Sequence, residues 1–188
     1  MNEETAAVTT KKTAAQRLRG WIGYIAIILS VVMVFLIFGI RVVNVDGASM
    51  DTTLVSGEKI VITNFFYTPQ DGDIIVVSRG AHYDKRIVKR VIATEGQSVK
   101  LDYANNKIYV DGKELDEPYV KDGTTFGGNF GNYAIPEVVP EGKIFVMGDN
   151  RSVSLDSRSS QIGLVNTSDV MGKAQFAIFP FDRFGAIG

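Results

Sequence analysis

An uncharged stretch of twenty residues, 21–40, limits what this chain can fold into. It begins with Trp21 and ends with Ile40, and its most polar side chain is Ser30. As an α-helix rising 1.5 Å per residue it would extend about 30 Å, which is the hydrocarbon thickness of a bilayer. Apolar residues occupy every face, so a helix buried in a soluble core is disfavoured. The stretch therefore predicts one membrane-spanning helix.

A cleaved signal peptide is the main alternative for this stretch. The apolar region of such a peptide is about 7–15 residues long, which is shorter than the run at 21–40. The sequence thus favours a retained membrane anchor.

The charges on either side of the stretch predict its orientation. Lys11, Lys12, Arg17 and Arg19 precede it, whereas Arg41 alone follows directly. Because basic residues stay on the cytoplasmic side, we expect residues 1–20 to form a short cytoplasmic tail, 21–40 to span the membrane, and 41–188 to lie outside.

The rest of the chain is predicted to be mainly β. Short runs rich in Ile and Val alternate with turns, and an Asp111-Gly112 pair between two runs is typical of a tight hairpin. We expect a folded, barrel-like antiparallel sheet with a small β insertion at about 98–142. The predicted strands are 59–65, 73–78, 85–93, 98–102, 107–110, 113–115, 143–147 and 170–179, with a helical turn at 167–171.

The composition excludes several kinds of site. The chain has no cysteine and one histidine, His82, which excludes disulfides, thiol nucleophiles and zinc sites that need paired histidines. A net charge of −1 gives no sign of a nucleic-acid surface. We expect no metal and no cofactor.

Two residues, Ser49 and Lys89, are candidates for nucleophilic chemistry. Ser49 lies in a turn of small residues, where serine is usually a simple turn residue. Lys89 lies between aliphatic residues in the run 85–93. It is either a solvated edge lysine or a desolvated lysine whose pKa is lowered. A neutral lysine can remove a proton from serine, and it is the most plausible base in a chain with one histidine.

A third polar segment is 148–158, which follows a predicted strand. A calcium loop would need a central glycine and ligands at alternate positions, and Arg151 and Val153 argue against that reading. A plain polar turn is the other alternative.

Four blocks in order resemble bacterial signal peptidase I, over residues 21 to about 176. They are Ser49-Met50-Asp51-Thr52-Thr53-Leu54, Gly72-Asp73-Ile74-Ile75-Val76, Lys89-Arg90-Val91-Ile92 and the segment from Gly148 to Arg158. The compact spacing is similar to that of Gram-positive forms. Four turn-shaping positions depart from the family pattern, namely Thr52 and Glu95 for proline, Ala93 for glycine and Gln97 for aspartate.

The resemblance implies roles for particular residues. Ser49 would be the nucleophile and Lys89 the general base, with the Ser49 backbone N–H as an oxyanion donor. Ser154 would orient Lys89, and Asp156 and Arg158 would form an ion pair that braces their loop. An extended substrate would lie against two segments by strand addition. The predicted substrate-binding residues are Val45, Asp46, Gly47, Lys85, Arg86, Ile87 and Val88.

The resemblance also implies a function. It predicts a membrane-bound serine endopeptidase of the plasma membrane that removes signal peptides from secreted precursors, after an Ala-x-Ala site. Its partners would be these precursors and the lipid bilayer. A catalytically silent homologue that binds secreted or pilin-like proteins is the first alternative. A self-cleaving repressor-type protease is the second, although it would need a DNA-binding segment instead of a membrane span.

Overall fold

The computed structural model describes residues 13–123, 126 and 133–187. The chain divides into two compact units, residues 1–38 and residues 39–188. The helix α1, Ala14–Gly39, lies in the first unit except for its last residue, and its Arg17–Phe35 portion is long and apolar enough to cross a membrane. The helix begins seven residues before the predicted span because the preceding residues include strong helix formers such as alanine, arginine and leucine.

The second unit is built almost entirely from short strands, as the sequence predicts. The strands are β1 Ile40–Asn44, β2 Lys59–Thr63, β3 Ile74–Val77, β4 Ile87–Ala93, β5 Val99–Asp102, β6 Lys107–Val110, β7 Lys113–Glu114, β8 Lys143–Met147, β9 Val165–Asn166, β10 Val170–Phe179 and β11 Gly185–Ala186. Short 3-10 helices occur at Lys121–Gly123, Thr167–Asp169 and Phe181–Arg183.

These strands form two antiparallel sheets. The larger runs in the order β1-β2-β10-β3-β4-β8-β9, with β11 paired to β10. It remains open between β1 and β9 within the described residues, so it is a half-barrel. The smaller sheet, β5-β6-β7, lies within the predicted insertion. The predicted class, a mainly β chain with an N-terminal apolar helix, is confirmed.

The sequence of β3 is an unbroken apolar run because both faces of this strand are buried in the core. Ile74 and Val76 belong to one cluster of buried side chains, and Ile75 and Val77 belong to another. A strand that is buried on both faces has no polar alternation. In the register, Ile75 lies opposite Lys89 of β4, so the candidate base lies beside the centre of this core.

Some local predictions are confirmed and others are wrong. Asp111 and Gly112 both have positive φ, as the predicted hairpin turn requires. The predicted helical turn near 167 is the 3-10 helix Thr167–Asp169. Ile40, predicted to end the membrane span, instead begins β1, a strand that the sequence reading did not identify. Residues 124–125 and 127–132 of the predicted insertion lie outside the described residues.

Candidate active site

Ser49 lies in a compact turn between β1 and β2. The backbone N–H of Asp51 donates to the carbonyl of Ala48, and that of Leu54 donates to Met50. Met50 and Leu54 are each 1% exposed and anchor this turn in the core. The turn thereby presents the Ser49 hydroxyl while its apolar neighbours are buried. We call residues 48–54 the nucleophile turn.

Lys89 extends from β4 to the Ser49 hydroxyl. Its Nζ donates to Ser49 Oγ at 2.7 Å and to the carbonyl oxygen of Val88 at 3.0 Å. Lys89 is only 2% exposed. Burial lowers the pKa of Lys89 from 10.5 to about 8, against the opposing charges of Asp156 and Asp149, which raise it. A substantial fraction of this amine is therefore neutral just above neutral pH.

The 148–158 loop is bound to itself by a buried ion pair. Arg158 donates from Nε to Asp156 Oδ1 at 2.8 Å and from Nη2 to Oδ2 at 2.9 Å. Asp156 Oδ2 also accepts the backbone N–H of Gly148 at 3.1 Å. The predicted Asp156–Arg158 pair is therefore present, and it closes the loop from one end to the other.

The predicted hydrogen bond between Ser154 and Lys89 is absent. Ser154 Oγ is buried, and it has no hydrogen-bond partner among the described residues. It nevertheless lies close to the nucleophile. A Cβ on Gly148 would stand 2.3 Å from Ser154 Oγ and 2.4 Å from the carbonyl oxygen of Ser49. The expectation is corrected in its contact, because the Lys89 amine is directed to Ser49 and Val88 instead.

A second buried pair, Arg90 with Asp149, connects the nucleophile turn to β4, the strand that carries Lys89. We call β4 the base strand. Arg90 donates from Nε and Nη2 to the two Asp149 oxygens at 2.9 and 2.8 Å. Thr53 Oγ1 donates to the same carboxylate at 2.5 Å. The backbone N–H of Asn150 donates to the Ser49 carbonyl at 3.0 Å. The sequence analysis assigned none of these groups a role.

An open groove of about 1050 Å³ runs past Ser49 and Lys89. Six of the seven predicted substrate-binding residues line it, namely Asp46, Gly47, Lys85, Arg86, Ile87 and Val88. Val45 does not, and that prediction is wrong. Its side chain is in the core, and its backbone N–H and carbonyl are paired with Glu58 and Gly57.

One side of β4 is open along this groove. β3 pairs with β4 from Ile87 to Arg90, whereas β8 pairs with it only at Arg90, Val91 and Ala93. The register thus leaves the β8 side of Ile87–Lys89 without a neighbouring strand in the described sheet. A chain lying in the groove could pair with that side.

The four departures from the family pattern lie in or beside turns. Thr52 has φ 93, which proline cannot adopt, so the nucleophile turn differs here from one built on proline. Glu95 accepts the backbone N–H of Gly142, and Gln97 bonds Thr94 and Asp71. Ala93 is buried at the end of β4.

A serine hydroxyl held against a buried amine, with both lining an open groove, is an arrangement suited to a hydrolase that works by nucleophilic catalysis. Comparison with known proteins gives the family. The model of the signal peptidase family, peptidase S26, matches residues 18–179. Signal peptidase I of Bacillus licheniformis is 37% identical over 174 residues, 84% of this chain and 88% of that protein. Signal peptidase IB of Staphylococcus aureus strain Mu50 is 34% identical over 179 residues, 87% of this chain and 91% of that protein.

Among solved structures, a signal peptidase I from Enterococcus faecalis V583 matches with a TM-score of 0.47 and 31% identity, covering 57% of this chain and 97% of that one. The sequence matches show that this chain belongs to the signal peptidase family, peptidase S26. It is therefore a serine endopeptidase, a hydrolase of peptide bonds.

Proposed function

We propose that this chain is a membrane-anchored endopeptidase that removes signal peptides from secreted precursors, with Ser49 as nucleophile and Lys89 as general base. The observation that carries the proposal is the 2.7 Å contact between Lys89 Nζ and Ser49 Oγ beside an open groove. The curated relatives named signal peptidase I and IB, which this chain matches over most of its length, support the substrate class.

The chemistry follows from a neutral lysine. Ser49 Oγ attacks the carbonyl carbon of the scissile bond while its proton moves to Lys89 Nζ. Lys89 then gives that proton to the leaving amine, and the C–N bond breaks. Water, deprotonated by Lys89, attacks the acyl-enzyme, and the ester bond breaks to release the acid and restore the Ser49 hydroxyl. No hydrogen bond from the Ser49 backbone N–H occurs among the described residues, so this donor is available to the oxyanion.

Ser154 completes the site in this proposal. A buried hydroxyl without a partner is costly, and this one lies beside the Ser49 carbonyl. When Lys89 becomes protonated during turnover, a shift of its amine toward Ser154 would satisfy both groups and hold the ammonium in the site.

Substrate would enter the groove as an extended strand along the open side of β4. Its backbone would pair with Ile87–Lys89, and small side chains at the first and third positions before the cut would face the groove. The structural support is the register of β4, which β8 leaves unpaired before Arg90. A preference for Ala-x-Ala sites follows if the groove admits only small side chains there.

A cleavage assay tests the proposal. The full-length protein in detergent is mixed with a precursor carrying an Ala-x-Ala site, and the cut is located by mass spectrometry. We expect a cut after the second alanine that is absent in Ser49→Ala and Lys89→Ala, and present in the exposed-surface control Lys113→Ala. Cleavage by Ser49→Ala, or no cleavage by the folded parent, would refute the assignment. The second result would favour the silent binding homologue.

We also propose a single span in the plasma membrane, with the N-terminus in the cytoplasm and residues 41–188 outside. The apolar helix and the basic residues that precede it support this topology. Because the chain has no cysteine, single cysteines can report it. In intact cells, a membrane-impermeant maleimide should label Lys113→Cys and should label Thr10→Cys only after lysis. The reverse pattern would overturn the orientation.

A further inference from the structure

The segment 117–121 follows the small sheet and contacts the residues around Ser49 and Lys89 without lining the groove. The groove-lining residues fall between 42 and 49, between 76 and 89, and between 153 and 155. The segment is therefore outside the groove. Its contacts instead reach the nucleophile turn, the base strand and the 148–158 loop.

Two contacts join the segment to the nucleophile turn. Lys121 Nζ forms an ion pair with Asp51 Oδ2 at 2.6 Å, and this hydrogen bond is the main cause that lowers the pKa of Asp51. Thr52 Oγ1 donates to the carbonyl oxygen of Tyr119 at 3.1 Å. Both contacts lie within three residues of Ser49, so they restrain the part of the turn that follows the nucleophile.

Further contacts join the same segment to the base side of the site. The guanidinium of Arg90, the residue after Lys89, lies 3.9 Å from the centre of the Tyr119 ring. The backbone N–H of Lys121 donates to the Asp149 carbonyl at 3.1 Å. Glu117 is paired with the fully buried Arg151 of the 148–158 loop.

These contacts affect the alignment of Ser49 with Lys89. Ser49 and Lys89 lie on different parts of the chain, and their 2.7 Å contact depends on how the nucleophile turn and β4 are held together. Tyr119 covers one side of the Arg90 guanidinium while Asp149 binds its edge, and Asp149 also binds Thr53 of the turn. The segment thus contacts both halves of the site at once.

We propose that Tyr119 and Lys121 are positioning residues that hold the Ser49 turn against the Lys89 strand. This inference rests on the proposed function. It gives the segment 117–121 a role in the rate of the chemical step and no role in substrate binding.

The test compares three tyrosine variants of the full-length protein on the Ala-x-Ala precursor. A misplacement of about 1 Å can cost about a hundredfold in rate, so Tyr119→Leu should lower kcat by about tenfold to a hundredfold. KM should stay within about twofold, because the segment does not line the groove. Tyr119→Phe keeps the ring over Arg90 and should retain kcat within about twofold, since its hydroxyl makes only a 3.4 Å contact with Glu117.

Tyr109→Leu is the matched control. Tyr109 lies in β6, where Lys100 Nζ is 6.0 Å from its ring centre, so the variant removes a similar contact away from the site. We expect its kcat to be unchanged at a temperature where all variants are folded. The fall in kcat of Tyr119→Leu should persist at pH 10, which is above the pKa of about 8 for Lys89. At that pH the Lys89 amine is neutral in every variant, so the remaining loss reports the alignment of Ser49 with Lys89.

The ion pair provides a rescue experiment. Asp51→Lys and Lys121→Asp should each lower kcat by about threefold, because a partly exposed ion pair contributes modestly. The double variant, which exchanges the charges, should recover most of that loss. Rescue by exchange depends on the contact itself and is not expected from general destabilisation.

The outcomes separate the two proposals. An active parent with an inactive Ser49→Ala and an unchanged kcat in Tyr119→Leu would overturn the positioning role alone. Equal losses in Tyr119→Leu and Tyr109→Leu, a rise in KM without a fall in kcat, or no rescue by charge exchange would also overturn it. An inactive folded parent would overturn the proposed function, and this inference with it.

Discussion

Replacing Lys89 with methionine removes a buried ammonium group while keeping a similar unbranched volume. The residue is 2% exposed, and its pKa is lowered from 10.5 to about 8, chiefly by burial. The folded state therefore disfavours the protonated form. We expect Lys89→Met to be inactive and yet more stable than the parent at neutral pH.

The magnitude follows from the two pKa values. A tenfold change in a protonation constant is worth about 1.4 kcal/mol, so lowering the pKa from 10.5 to about 8 costs the folded state about 3 kcal/mol when Lys89 is protonated. Below pH 8 both states are protonated and the whole cost applies. Between pH 8 and 10.5 the folded state is neutral while the unfolded state still binds the proton, so the parent gains stability as the pH rises.

The advantage of Lys89→Met over the parent should therefore shrink by about 2 kcal/mol between pH 7 and pH 9.5. Urea unfolding of both proteins in a mild nonionic detergent, followed by circular dichroism, measures this difference. Lys113→Met, which removes an exposed ammonium, is the control and should differ from the parent by less than about 0.5 kcal/mol at either pH. A Lys89→Met advantage that is the same at both pH values would refute the reasoning, because it would mean that burial does not lower the pKa of Lys89.

The remaining predictions concern activity on the Ala-x-Ala precursor. Because only neutral Lys89 acts as a base, kcat/KM should rise about tenfold from pH 7 to pH 9 with a midpoint near 8, and a profile flat over this range would contradict the assignment. Gly148→Ala would place a Cβ 2.4 Å from the carbonyl oxygen of Ser49, so kcat should fall by about a hundredfold, whereas Gly185→Ala, with nothing within 4 Å, should leave it unchanged. Ser154→Ala removes a buried hydroxyl without a partner among the described residues, so the free energy of unfolding should rise by about 1 kcal/mol while kcat falls at least tenfold. Unchanged activity in this variant would remove Ser154 from the mechanism.

The strands could be predicted because their signal is local. Lys107–Val110, Lys143–Met147 and Val170–Phe179 were predicted with the observed bounds, and the other predicted strands differ by one or two residues at their ends. β1 was not identified because it directly follows the apolar stretch, and an apolar residue such as Ile40 fits a span and a strand equally well.

The candidate residues could be named from motifs, but their contacts could not. Ser49 and Lys89 stand where the family pattern places them, and the structure brings them within hydrogen-bonding distance. The partner expected for Ser154 was wrong, since the direction of a lysine amine depends on packing around the whole chain. Val45 was assigned to the groove as part of a segment expected to pair with substrate, yet its backbone is already paired with Glu58 and Gly57.

Local sequence signals are sufficient for the apolar helix, the mainly β class and the types of side chain available for chemistry. These properties depend on hydrophobic periodicity, strand propensity and composition, which neighbouring residues or simple counts express. Long-range packing, in contrast, buries Lys89, lets Asp149 connect Arg90 to Thr53, and brings the 117–121 segment into contact with both halves of the site. Those facts depend on contacts between residues 29 to 96 positions apart, and local sequence patterns carry no information about the distances and burial that such contacts create.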